Sequence, residues 1–388
     1  YDEAAKEFRE FYDNRNNEKI ENAYSNIFKD KNVIVIHAES IMNFLISDDF
    51  KGGAPAAFNG IEVTPNLNKL AAEGIYFSNF YAQDSAGTSS DTEFTFSTSL
   101  MPSTSGTVFI NYFNREYITT QKLLHDMGYY TFSTHANNAE YWNRKIMHKT
   151  LGYQDFYAKD TYIIPEDESD PEIVGLGLSD KSFFEQFIPK LESIRDNNDL
   201  FMGTVITLSN HSPFSDTEKY LDFDLTMDYT YTDEEGNSVT INAPFLEGSE
   251  MGDYIKSAHY ADYAFGIFMD LLEENDLLDN TVIVFYGDHE ARLARKEFNL
   301  LYNYDPISNS VKTSEDEDYY DVYGYNYDLL KNTPLIIYSK DDDISFTNNK
   351  VMGMFDVLPT IANMFGFSEK YSLGKDVFDD SEGYVVFP

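Results

Sequence analysis

Two apolar runs in this chain end at ligand-type side chains, and that pattern constrains its fold more than any other. Val33-Ile34-Val35-Ile36 leads through His37 and Ala38 to Glu39, and Val282-Ile283-Val284-Phe285-Tyr286-Gly287 leads to Asp288 and His289. Short, continuous runs rich in β-branched residues predict strands buried on both faces, as in a parallel sheet covered by helices. In open sheets of that kind, ligands gather at the carboxyl ends of the strands. A third segment, Gly87-Thr88-Ser89-Ser90-Asp91-Thr92-Glu93-Phe94, places hydroxyls at a predicted helix start. Together the three segments predict one metal site.

The rest of the chain continues the rhythm. Strand-like runs at 129–134, 201–208 and 335–338 alternate with helical patterns at 65–74, 183–194 and 254–272. Such alternation predicts an α/β fold with a mainly parallel central sheet and helices on both faces. Residues 1–31 are polar and loosely helical, which suits a tether; 32–300 form the expected core. Within it, 215–244 is an Asp-, Tyr- and Thr-rich stretch whose Glu235-Gly236-Asn237 reads as the turn of an inserted hairpin. Residues 301–388 are expected as a smaller C-terminal α+β subdomain. The acidic stretch 303–327 reads as a solvated loop, because the ligand spacing of an EF-hand is missing.

Composition removes several functions. With 28 basic and 67 acidic side chains, the 388-residue chain carries a net charge of −39, which argues against nucleic-acid partners. It also opposes adsorption of the bare chain to an anionic membrane, and any anionic substrate needs a local positive site. The chain has 0 cysteines, which excludes disulfides, thiolate metal sites and a cysteine nucleophile. It contains no uninterrupted apolar run of about 18 residues and no signal-peptide pattern. It opens on Tyr1-Asp2-Glu3, so it is read as a fragment lacking its targeting or membrane segments.

Glu39 follows an apolar run and precedes another, Ile41-Met42-Asn43-Phe44. A carboxylate buried there without a partner is costly, which a cation would relieve; a helix-capping Glu is the plainer alternative. Asp288 and His289, adjacent in a loop leaving a strand, can both reach one ion. The hydroxyls of Thr88 and Ser89 read either as an ordinary N-cap box or as a nucleophile at a helix N-terminus, where the potential is positive. The two readings are compatible.

These segments and their neighbours resemble the lipoteichoic acid synthase family of phosphoglycerol transferases, within the sulfatase and alkaline phosphatase superfamily. Thr64-Pro65-Asn66-Leu67-Asn68-Lys69-Leu70-Ala71-Ala72-Glu73-Gly74 with Phe77-Ser78-Asn79-Phe80-Tyr81 is similar to the superfamily's early helix and strand, and Phe355-Asp356-Val357-Leu358-Pro359-Thr360-Ile361 to its late helix. Tyr141-Trp142-Asn143-Arg144, Ser209-Asn210-His211-Ser212-Pro213-Phe214 and Tyr286-Gly287-Asp288-His289 resemble the narrower family. The likeness runs from Asn32 to the C-terminus.

The resemblance implies one manganese or magnesium ion held by Glu39, Asp288, His289 and the nucleophilic hydroxyl, with His211, Trp142 and Arg144 binding glycerol phosphate. His211 is also implied as a catalytic proton donor. Taken alone, Arg144 reads equally as half of a surface salt bridge, and Trp142, the single Trp, as core packing. The family places a Thr four residues before the Glu of its Asp-x-Glu-Phe segment; here that position is Ser89, with Thr88 one place earlier. Ungapped register selects Ser89 as the nucleophile, whereas residue type and the preceding Gly87 favour Thr88, which is the expectation adopted for both catalysis and metal binding.

The implied reaction moves glycerol phosphate from a phosphatidylglycerol-type lipid to a polymer or glycan hydroxyl through a covalent Thr/Ser intermediate. The implied setting is the extracellular face of the bacterial membrane, reached through a missing N-terminal anchor, with the domain a monomer. A single-metal phosphodiesterase, phosphatase or sulfatase-like hydrolase is the alternative, and a non-catalytic binding domain a third. The chain lacks the Cys/Ser-x-Pro-x-Arg pattern of sulfatases in its nucleophile segment, and no His follows His289 to serve a second metal.

Overall fold

The structure, a computed structural model, describes residues 2–15, 21–46 and 61–387. Its centre is an eight-stranded sheet in the order Phe346–Asn348, Ile75–Phe77, Leu335–Ser339, Thr281–Gly287, Asn32–Ala38, Phe201–Ile206, Tyr130–Thr134, Asp155–Tyr157. Seven strands run in one direction, and Leu335–Ser339 alone is antiparallel to both neighbours. This is the mainly parallel α/β architecture expected from the alternation.

The two central strands are buried along their whole length because both faces are covered. Ile34 and Ile36 enter the apolar layer beneath helices Pro65–Glu73, Asp180–Asn197 and Glu250–Glu274. Val33 and Val35 enter the opposite layer, with helices Ser89–Thr98, Thr120–Asp126, Arg144–Leu151 and Val357–Phe365. Each such side chain stabilises the fold by roughly 1.5–3 kcal/mol, so the strand pair that carries the site is anchored from both sides.

Of the expected tether, Asp2–Asn14 is a helix, while residues 1 and 16–20 lie outside the described residues. Met227–Thr232 and Ser238–Ala243 pair as an antiparallel hairpin that turns through Gly236. The segment after residue 300, expected as a smaller C-terminal subdomain, is tied to the core. It gives Leu335–Ser339 and Phe346–Asn348 to the main sheet, since Leu335, Ile336 and Ile337 bury more apolar surface between two strands than on a small sheet of their own.

Candidate metal centre and active site

Parallel pairing in register sets Ala38 opposite Gly287, so Glu39 and Asp288 leave the sheet side by side. The Asp288 amide donates to Ala38 O at 3.0 Å. Ser40 N donates to Asp288 Oδ1 at 2.8 Å, and Ser40 Oγ to Glu39 Oε1 at 2.9 Å. The loop after Glu39 crosses the neighbouring strand end so closely that a Cβ on Gly287 would lie 2.0 Å from Ile41 O; only glycine permits that approach.

Glu39, Asp288 and His289 are all buried, and each offers one ligand atom within 4.8 Å of the others. His289 Nε2 lies 3.4 Å from Glu39 Oε1 and 3.5 Å from Asp288 Oδ2. Asp288 Oδ2 is buried without a hydrogen-bond partner, as is His37 Nε2; the two are 3.1 Å apart but poorly aligned. Burial, then the charge of Asp288, raises the pKa of Glu39. Burial also opposes charge on Asp288, yet His289 and His37 hold it below the usual carboxylate range. Burial disfavours protonated His289, but Asp288, Glu39 and Asp84 raise it to about 9. Two buried carboxylates, one with an oxygen that has no hydrogen-bond partner, and an imidazole within 4.8 Å of one another are the donor set of a divalent cation, so these residues fit the implied metal.

The hydroxyl-rich segment of residues 87–94 leads into the helix Ser89–Thr98. Thr88 is its N-cap at φ 43°, a conformation that a β-branched residue seldom adopts, and its side chain makes no capping bond. The turn is braced instead by Asp91, whose Oδ2 accepts from Ser85 N at 3.0 Å and Gly87 N at 2.8 Å. A Cβ on Gly87 would sit 2.3 Å from Asp91 Oδ1. The hydroxyl that meets the ligand cluster is that of Ser89, with Oγ 3.4 Å from His289 Nε2. Ser89 is the residue that the ungapped register selects; Thr88 stands one place before it as the cap of the helix.

One turn further on, Glu93 organises the other expected residues. Arg144 donates through Nε at 2.9 Å and Nη2 at 2.6 Å to Glu93 Oε1, and His148 Nε2 lies 2.8 Å from Oε2. Arg144 is 3% exposed, so the surface salt-bridge alternative is excluded and its ion pair is internal. Burial lowers the pKa of His148; the neutral ring donates from Nε2 to the carboxylate, leaving Nδ1 to accept from Ser133 Oγ at 2.8 Å. Trp142, half-buried at φ 53°, lies in the turn Tyr141–Asn143 leading into Arg144 and packs at the edge of the core. His211 is half-buried, with Nδ1 2.6 Å from Ser212 O. The preceding Asn210 donates to the carbonyls of Glu39 and Ser40 at 3.1 and 3.2 Å.

Sequence reasoning missed His37, Glu93 and His135. His135 directly follows the strand Tyr130–Thr134, is buried, and lies with Nδ1 2.9 Å from Ile206 O. Burial, then Arg144, pushes its pKa down to about 3, so it stays neutral. The strand-end pattern that found Glu39 applies to it equally.

The sulfatase family model matches residues 31–367. Lipoteichoic acid synthase 1 of Bacillus subtilis is 32% identical over 366 residues, 92% of this chain and 50% of that protein, so the chain spans about half the length of the curated relatives it matches. Among solved structures, the lipoteichoic acid synthase LtaP from Listeria monocytogenes superposes with a TM-score of 0.72 at 24% identity, covering 96% of this chain and 81% of that one. The Streptococcus pyogenes phosphoglycerol transferase GacH, in complex with sn-glycerol-1-phosphate, superposes at 0.53 with 18% identity, covering 95% and 80%.

Proposed function

The chain belongs to the sulfatase family, and on that premise we propose that it is a metal-dependent phosphoglycerol transferase. It moves glycerol phosphate from a phosphatidylglycerol-type lipid to a polymer or glycan hydroxyl through a covalent intermediate on Ser89. The observation that carries this reading is the Ser89 hydroxyl, set at the start of a buried helix and 3.4 Å from a member of the three-ligand cluster. The names of the relatives, lipoteichoic acid synthase and phosphoglycerol transferase, support the choice of group transferred.

Glu39, Asp288, His289 and Ser89 Oγ would hold one manganese or magnesium ion. When bound, such a cation lowers the pKa of a neighbouring hydroxyl and polarises a phosphoryl oxygen. Ser89 Oγ, its proton released to solvent beforehand, forms a bond to phosphorus as the bond to the diacylglycerol oxygen breaks, and His211 supplies the proton that oxygen takes, Ser89 leaving as the same alkoxide in the second step. The acceptor hydroxyl then attacks the same phosphorus, gives its proton to His211, and frees Ser89. Arg144, held by Glu93, binds phosphoryl oxygens with the N–H donors that Glu93 does not use, and Trp142 packs against the glycerol. The positive end of the helix favours the charge that builds at Ser89.

We place the domain at the outer face of the bacterial membrane, tethered through an N-terminal anchor and acting as a monomer. Among the described residues, no helix is long and apolar enough to cross a membrane. The test is turnover of fluorescent phosphatidylglycerol with and without manganese, followed by intact mass. Labelled diacylglycerol should appear only with metal, and one glycerophosphoryl group should accumulate on the chain when acceptor is withheld. A protein that binds no metal and releases no diacylglycerol would overturn the reading, and quantitative release of free glycerol phosphate in the presence of acceptor would make it a hydrolase.

A further inference from the structure

Two buried polar side chains beside the ligand cluster have no part in the mechanism above. His37 and Tyr286 are both at 0% exposure, and each stands two residues before a ligand, Glu39 and Asp288 respectively. The parallel register of the two central strands sets them opposite one another, so their side chains share a face of the sheet. His37 Nδ1 lies 2.8 Å from Tyr286 OH, and the rings meet edge to face with centroids 5.2 Å apart. Tyr286 stacks in turn on Phe96, 5.3 Å away, in the helix that Ser89 begins.

The other ring nitrogen of His37 turns to the cluster. Nε2 lies 3.1 Å from Asp288 Oδ2, the same oxygen that stands 3.5 Å from His289 Nε2. The contact is short but off line, and among the described residues neither atom has another hydrogen-bond partner. Unpaired polar atoms at this depth are uncommon and costly, and here each is what the other lacks. A carboxylate oxygen can only accept, so pairing requires Nε2 to carry a hydrogen. Tyr286 decides that point. Burial holds the pKa of its phenol well above 10.0, and an O–H given to Nδ1 leaves the imidazole hydrogen on Nε2.

We propose that Tyr286 and His37 are positioning residues, linked Tyr286 OH to His37 Nδ1 and His37 Nε2–H to Asp288 Oδ2, which fix the Asp288 carboxylate for the ion. The inference rests on the metal site of the preceding section and not on the lipid donor or the acceptor. Oδ1 is already held by Ser40 N, so a donor on Oδ2 stops the carboxylate from turning and leaves the remaining lone pair of Oδ2 for the ion. His37 lies behind Asp288, outside the three-ligand cluster. A partner one bond behind a ligand typically changes metal affinity by about 10–100-fold.

The experiment uses the whole chain with manganese as the probe and reads its dissociation constant by calorimetry. His37→Leu, which keeps the bulk and removes the donor, should weaken binding about tenfold or more. Tyr286→Phe, which keeps the ring and frees the tautomer, should weaken it about threefold to tenfold. His37→Gln, whose amide nitrogen reaches the Nε2 position, should keep affinity within about threefold of wild type. Nitrogen NMR of the metal-free chain reads the tautomer: wild-type His37 should carry its hydrogen on Nε2, and Tyr286→Phe should mix the two forms. Should His37→Leu not fold, Tyr286→Phe and the NMR signal carry the test. Unchanged manganese affinity in the folded variants, or a wild-type ring with no hydrogen on Nε2, would overturn the proposal. Wild-type protein that binds no manganese would overturn it together with the metal site. Wild-type protein that binds manganese, loses affinity on His37→Leu and yet turns over no phosphatidylglycerol would support the positioning residues and overturn the transferase reading.

Discussion

Glu93→Gln separates a side chain that merely fills the core from one that holds the site in shape. The carboxylate is 5% exposed and its partners Arg144 and His148 are 4% and 1% exposed, so water replaces nothing that is lost. Glutamine has the same shape, and its oxygen still accepts from Arg144. What disappears is the charge opposite a buried guanidinium and the acceptor for His148 Nε2, which then faces an amide donor. Breaking a buried pair by removing one partner costs about 3–5 kcal/mol; with no cavity formed, the lower end, about 3 kcal/mol, is expected from denaturant unfolding. A guanidinium loosened by even a fraction of an ångström should lower kcat/KM for the lipid donor by about 100-fold.

The pH dependence gives an independent check on the same substitution. Burial raises the pKa of Glu93, but Arg144 and His148 outweigh it and hold the group far below its ordinary value of 4.5. A depressed carboxylate contributes stability that is complete above the unfolded pKa and is lost as pH falls toward the folded one. The advantage of wild type over E93Q should therefore be full above about pH 5 and shrink steadily below 4.5. A variant within 1 kcal/mol of wild type at neutral pH, a cost far below that of breaking a buried pair, and with turnover within about twofold would refute the argument.

Ser89→Ala should abolish both turnover and the covalent adduct, while Thr88→Ala keeps activity within about tenfold; the reverse result moves the nucleophile to Thr88. Gly87→Ala should drive Asp91 off the Ser85 and Gly87 amides, since the new Cβ would lie 2.3 Å from Asp91 Oδ1 and 2.7 Å from Thr107 Oγ1. A loss of about 2 kcal/mol with turnover falling further than stability explains is expected, and unchanged kinetics would count against the strained turn as part of the site. Manganese at about 100 times its dissociation constant should raise unfolding stability by about 2.7 kcal/mol, an increment absent from Asp288→Asn. Calorimetry with sn-glycerol-1-phosphate should show binding weakened at least about tenfold by chelator; equal affinity with and without metal would contradict the charge balance argued below.

What could be read from the sequence is what is local in it. Val33-Ile34-Val35-Ile36 announces a buried strand, and Glu39 stands three residues beyond it, so strand and ligand are legible together; the same holds for Val282 to His289. Arg144 and Glu93 are 51 residues apart, and nothing in either neighbourhood specifies the partner. Their contact follows from packing one helix across another. The alternatives Thr88 and Ser89 differ by one residue at the start of a helix, which propensity does not resolve. The strand Leu335–Ser339 was legible as a strand, but its place between Thr281–Gly287 and Ile75–Phe77 depends on which sheet edge is left open by earlier segments.

Under the proposed function, an acidic chain has to take an anionic donor, and the charges at the site suggest a way. Arg144 is already neutralised by Glu93, so it lends hydrogen-bond donors more than net charge. Glu39, Asp288 and Asp84 all act on His289, so the cluster is rich in carboxylates. A divalent cation held there would offset the charges of Glu39 and Asp288, beside which the start of the helix at Ser89 is locally positive. On the proposed reading, phosphate affinity would be a property of the loaded site rather than of the folded chain. By linkage, whatever the ion adds to donor affinity the donor must add to ion affinity.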